Sequence, residues 1–229
     1  MLSFTVYFDI IADYQLLTTK LSAHSVFWER VTEANMKKKE AILKVATVLY
    51  ANHGFKDTSV QELARLTDVA EGTIFYHYKS KEKLLLAVLK HARDEIVVQF
   101  EQFFENRPFA SGLDMAEEVI SFYLYLAGLL EDQFILLHRH FLYQFSESNP
   151  EFRENLEAIY NCLVDFFEKP IQTGQEDGSI ASDIHPRKSA LILFTMVDGL
   201  VRFKNDNLYD AGALFNELLK SSRRMLQAH

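Results

Sequence analysis

The side chains best suited to chemistry in this chain gather in one short stretch. Glu71, Thr73, Phe75, Tyr76 and His77, followed by Lys79 and Lys81, put hydrogen-bonding groups, two aromatic rings and two cations within eleven positions. That mixture suits a nucleic-acid surface. A threonine can meet a base edge or a thymine methyl, Tyr76 and His77 can reach phosphate or base, and lysines neutralise the backbone. Gly72 leaves room for a close approach, and Glu71 can either accept from a cytosine amino group or repel phosphate. Catalysis is the rival chemistry for His77, but the pattern offers no acid or nucleophile to partner it.

Other reactive residues are sparse. His138 and His140 suggest a metal pair, yet a two-residue step on a helix sets them about 200° apart, and no HExxH or repeated ExxH is present, so neither metal nor cofactor is expected. The single cysteine, Cys162, excludes an internal disulfide and sits among Leu163, Phe166 and Phe167, where packing is the ordinary role. A reducing, cytoplasmic setting fits.

The reactive stretch must be held by its neighbours. Ile42, Val45, Ala46 and Leu49 recur at three- and four-residue steps, predicting an amphipathic helix over Lys38–Asn52. His53-Gly54 stops it. Thr58 or Ser59 can cap a short helix over Val60–Leu66, with Glu62 placed to close a capping box on Ser59; Thr67-Asp68-Val69 is a tight turn, and a third helix covers Ala70–Tyr78. Ser80 caps a long fourth helix. Two short helices and a three-residue turn, with Val60, Leu63, Ala64, Val69 and Ile74 apolar, describe a helix-turn-helix. The small Ala64 lets the two helices cross closely. Tyr78 is expected to point inward.

The run ILKVATVLYANHGFKDTSVQELARLTDVAEGTIFYHYKSKEKLLLAVLK, which follows Lys38, resembles the N-terminal domain of the TetR/AcrR family of bacterial regulators. It shares that family's order of first helix, Gly-aromatic, Thr-Ser, Leu-Ala pair, Gly-Thr-Ile-aromatic-Tyr-His and Lys-Ser-Lys. The resemblance places DNA contacts on Thr58, Glu71, Thr73, Phe75, Tyr76, His77 and Lys81. It departs from the family at Asp68, where glycine is usual and a left-handed aspartate costs on the order of 1 kcal/mol, and at Ala70-Glu71, where serine and a basic or neutral residue are common. Operator sequence therefore does not carry over from relatives.

Composition agrees with a DNA-binding head on a larger body. Of 229 residues 48% are apolar and 24% charged, with 8 Gly and 4 Pro, the profile of a packed helical protein. The net charge is -8 but unevenly placed: Met36–His91 holds ten Lys/Arg against six Asp/Glu, and Ala92–His229 twelve against twenty-two. No apolar run approaches the ~20 residues of a membrane span, and no membrane partner is expected. Residues 36–92 are read as the head and 93–229 as the body. Residues 1–35 carry a predicted helix over Tyr14–Glu33; they are either an arm packed on the body or an artefact of a start that belongs at Met36.

The fold class is all-α. Body helices are predicted over Leu113–Leu130, Asp132–Phe145, Pro150–Thr173, Pro186–Lys204 and Asp210–Gln227, with a loop from Gly174 to Pro186. Most of the many aromatic side chains there are core. The resemblance implies an apolar or amphipathic effector held among the middle helices, with Phe104, Phe122, Phe141 and Phe166 as candidates. Leu191, Phe194, Thr195, Asp198, Gly199 and Arg202 share a helix face; a glycine there is explained by another helix passing close, in the same subunit or, as the resemblance implies, in the second copy of a homodimer. These features describe a ligand-responsive, dimeric DNA-binding regulator, most simply a repressor of an inverted-repeat operator. The competing class is an all-helical enzyme or small-molecule carrier that retains the head.

Overall fold

Capping residues start and stop the helices of the head. In α1 (Lys38–Asn52) the apolar positions face inward, and Glu40 in the first turn suits the positive helix end. The helix stops at Gly54, left-handed at φ 85, whose N–H returns to the Tyr50 carbonyl at 3.2 Å. Ser59 starts α2 (Val60–Thr67), its Oγ accepting the Glu62 N–H at 3.0 Å. Asp68 ends α2 in the left-handed conformation at φ 52, ψ 46, so the turn is made without glycine. The third helix, α3 (Glu71–Tyr78), follows two residues later, and Ser80 caps α4 (Lys81–Glu105) through the Lys83 N–H at 3.2 Å. At 25 residues α4 is roughly 37 Å long and joins head to body.

The structure, a computed structural model, describes residues 38–105 and 107–227; the expected N-terminal arm and its helix over Tyr14–Glu33 lie outside the described residues. Among the described residues there are ten helices. Those of the body are α5 (Gly112–Leu129), α6 (Glu131–Leu137), α7 (His140–Ser148), α8 (Pro150–Asp177), α9 (Pro186–Asn205) and α10 (Ala211–Leu226). Helix α8 is central and packs on α4, α5, α7 and α9, while α10 covers α5 and α9. Phe100, Tyr123, Phe134, Phe152 and Phe167 are buried in this core. The short α6 lies against α1 of the head and against α9. No single helix among the described residues is long and apolar enough to cross a membrane.

Two expectations for the body are corrected. The helix expected over Asp132–Phe145 is two helices, broken at His138 and Arg139, where Arg139 takes an extended ψ of 126°. Side-chain partners far away in sequence hold that break open, as described below. Gly174 does not open a loop but lies buried inside α8, which runs on to Asp177. A Cβ on Gly112 would fall 2.0 Å from the Gly174 nitrogen, and one on Gly174 would fall 2.5 Å from Ile180 Cγ1. The two glycines therefore mark where the start of α5 presses against the end of α8, and the loop proper begins at Gly178.

Candidate nucleic-acid interface

One face of α3 is locked down and the other is open. Ile74 and Tyr78 are buried, and the Tyr78 hydroxyl donates to the Lys39 carbonyl of α1 at 3.1 Å. Leu63 and Ala64 of α2 close the crossing from below. On the open face Glu71, Gly72, Phe75, Tyr76, His77 and Lys79 are exposed and Thr73 is half-buried. Tyr76 is 73% exposed and Phe75 43% exposed. Adjacent exposed rings on a helix whose inner face is packed form the kind of patch that marks an interaction surface. Tyr76 and His77 lie with ring centroids 5.3 Å apart, and the Lys79 ammonium sits 5.3 Å from the Tyr76 centroid and donates to the Tyr76 carbonyl at 3.0 Å.

Two expected contact residues are placed otherwise. Thr58 is fully buried, and its hydroxyl donates to the Gly54 carbonyl at 2.9 Å. Its side chain shapes the turn before α2 rather than facing solvent. Lys81 reaches back to donate to the Phe55 carbonyl and lies 4.4 Å from the Phe55 ring centroid. Partial burial pulls its ammonium below the usual lysine range, against the opposing pull of Glu82 and Asp57. Lys81 is thus a brace between α4 and the α1–α2 turn. Burial also lifts the Tyr78 phenol to about 12.

In the body, Phe104, Phe122 and Phe166 do gather, around Phe100. Phe100 stacks on Phe166 at 3.9 Å and meets Phe122 edge-on at 5.0 Å. Beside them α4 and α8 border an open cleft of about 450 Å³ lined by Glu101, Phe104, Glu105, Asp165, Phe166 and Lys169. Phe141 is not part of it. Its ring lies 6.1 Å from Phe55 of the head and 6.5 Å from Phe145, in the seam between head and body.

The α9 face also divides. Leu191, Thr195 and Arg202 are exposed and Gly199 is half-buried, but Phe194 is buried against Tyr123 and Phe167. Asp198 turns inward to accept the Tyr123 hydroxyl at 2.7 Å. A Cβ on Gly199 would meet nothing within 4 Å, so among the described residues no helix of the same subunit passes close there. The sequence reading missed other exposed apolar residues of α9 and of its connection to α10: Ile192 at 52%, Leu208 at 61% and Tyr209 at 66% exposure. The exposure of Ile192 one residue after Leu191 was readable from helical spacing; that of Leu208 and Tyr209, in the connection to α10, was not. The described residues hold no group of three or more His, Cys, Asp or Glu side chains suited to a metal ion.

Residues 42–88 match the family of bacterial regulatory proteins, tetR family. Over those residues the chain carries the N-terminal domain of tetR-family regulators. It is 24% identical over 181 residues to the fatty acid metabolism regulator protein of Bacillus subtilis, covering 78% of this chain and 90% of that one. It is likewise 24% identical over 165 residues to the transcriptional repressor KstR2 of Rhodococcus jostii, covering 67% of this chain and 72% of the repressor. The fold recurs in solved structures. The regulator FadR of Bacillus subtilis in complex with stearoyl-CoA matches 82% of this chain and 98% of its own at 23% identity and a TM-score of 0.65. A Saccharomonospora viridis transcriptional regulator in complex with choline matches 83% and 98% at 20% identity and a TM-score of 0.73. These relatives are regulators of transcription.

Proposed function

We propose that this chain is a homodimeric tetR-family repressor that grips an inverted-repeat operator through α3 and releases it when a small amphipathic molecule enters the body. The observation that carries the reading is the exposed Glu71-Thr73-Phe75-Tyr76-His77 face on a helix whose opposite face is anchored by Ile74 and Tyr78. The basic head supports it, and so does the apolar outer face of α9 and its connection to α10, which suits a second copy. Two recognition helices related by a two-fold axis meet half-sites about one DNA turn, or a multiple, apart. Selecting bound sequences from random DNA with the purified full chain tests this directly. An inverted repeat is expected, and recovery of no sequence preference would overturn it.

The cleft beside Phe104 and Phe166 is the proposed effector entrance. Its apolar floor suits an acyl chain or a planar aromatic. Its rim carries Glu101, Glu105 and Asp165 against Lys169, whose ammonium already lies 4.2 Å from the Phe104 ring centroid. Stearoyl-CoA and choline, bound by the two relatives above, are opposite in charge; the acid-rich rim favours the cationic sign. Titration with matched cationic, neutral and anionic amphiphiles checks this, and tighter binding of the anionic one would reject it.

A further inference from the structure

Two neighbouring residues in the break between α6 and α7 face opposite ways. His138 points into the body, with Nε2 3.1 Å from both carboxylate oxygens of Asp198 on α9. Its Nδ1 is buried without a hydrogen-bond partner, so the ring takes its orientation from Asp198. Asp198 is fixed in turn by the Tyr123 hydroxyl of α5 at 2.7 Å. Arg139 points the other way, to the head. Its Nε donates to the Ala51 carbonyl at 2.5 Å and its Nη2 lies 3.5 Å from the Asn52 carbonyl.

Those are the last two carbonyls of α1. The two before them, Leu49 and Tyr50, are taken by the N–H groups of His53 and Gly54. The last turn of α1 carries no basic residue of its own. A helix C-terminus presents unpaired carbonyls and a partial negative charge, which a cation satisfies. The body therefore supplies, from Arg139, the cap that the head helix lacks.

We propose that the His138–Arg139 break is a joint through which α9 sets the position of the DNA-binding head. A displacement of α9 carries Asp198 and the His138 ring with it. One peptide unit further on, the same displacement moves the Arg139 guanidinium off or onto the end of α1. Helix α4 connects head and body covalently, but this joint is hydrogen-bonded to both sides and makes Arg139 and Asp198 positioning residues for the head. Other contacts across the seam, Asn52 to Asp132 at 3.1 Å and Lys83 to Glu151 at 2.6 Å, keep the domains together when the joint opens. Use of the joint in regulation rests on the reading above; its existence does not require DNA.

Amide hydrogen exchange on the full chain, without DNA, tests the joint separately from the regulator reading. Arg139→Gln is expected to speed exchange at the end of α1 and the turn after it, residues 49–56, by about tenfold, the size of a lost charged hydrogen bond. Asp198→Asn, on the far side of the break, is expected to speed the same peptide, and to add little on top of Arg139→Gln. His138→Gln keeps a donor that can reach Asp198 and is expected to stay near the wild-type rate, unlike His138→Leu. Glu117→Gln, which removes only the surface pair with Arg223, serves as the control. The joint is rejected if Asp198→Asn speeds exchange only in α5, α6 and α9, or if its effect adds in full to that of Arg139→Gln. A general loosening that raises α2 and α3 as much as residues 49–56 rejects it as well.

Discussion

Tyr76 and His77 are exposed on the open face of α3, whereas Thr58 and Lys81 bond to backbone carbonyls of the turn before α2. Replacing Tyr76 or His77 with Ala is expected to weaken operator binding by about tenfold, as loss of a hydrogen bond to a charged group does, with the melting temperature unchanged. Thr58→Val should do the reverse. It removes the donor to the Gly54 carbonyl in a fully buried site, costing about 1–3 kcal/mol of stability, and leaves the salt dependence of DNA binding as it was. Thermal melts paired with operator titrations separate the two classes, and a Thr58→Val protein of wild-type stability would contradict the bracing role. Tyr78 gives a pH signature. Its phenol is raised from 10.0 to about 12 by burial, so the neutral form is the one the fold favours. That contribution is complete below pH 10 and lost as pH rises through 12. Tyr78→Phe, which has no proton to lose, should flatten the alkaline limb of the stability curve over that interval.

At the level of helices, what could be read from sequence was what neighbours in sequence decide. The head followed from caps and spacing: Ser59 beside Glu62, Asp68 in a left-handed turn, Ala64 at a crossing. The break at His138 and Arg139 was invisible because its causes, Asp198 and the end of α1, lie 60 and 88 residues away. For the same reason helical periodicity could group Phe194 and Asp198 with Leu191 and Gly199 without showing that α9 is packed on one side and bare on the other. Phe141, a candidate for the effector site, lies against Phe55 of the head, a neighbour far away in sequence that helical spacing does not reveal. Two glycines make the distinction measurable. Gly112→Ala would push a methyl into backbone and should destabilise the chain by more than about 3 kcal/mol, read by denaturant unfolding. Gly199→Ala meets nothing within 4 Å among the described residues of its own subunit and should strengthen α9 by about 1 kcal/mol. If that face is the dimer contact, the same change weakens self-association in sedimentation; unchanged association would remove Gly199 from the interface.

The whole molecule is electrically lopsided, with an excess of four cations in Met36–His91 and of ten anions in Ala92–His229. Approach to DNA is therefore steered head-first at low salt and slows as salt rises. An effector that favours the releasing shape must also bind less tightly to the operator complex, by the same factor with which it weakens the operator. Titrating each ligand with and without the other measures both factors, and unequal values would mean that the two do not act on one equilibrium. The seam between head and body sets the character of the motion. Phe55 rests against Phe141 at 6.1 Å and Phe145 at 4.9 Å, and Phe145 stacks on Phe152 at 4.9 Å. Contact between such rings is held mainly by excluded water, with a modest preference for the edge-on and stacked arrangements seen here. The head thus meets the body through a packed ring cluster with the Arg139 catch at one side. On the proposed reading, once the catch lifts only this ring cluster and the Asn52–Asp132 and Lys83–Glu151 contacts steady the head beside the covalent link of α4.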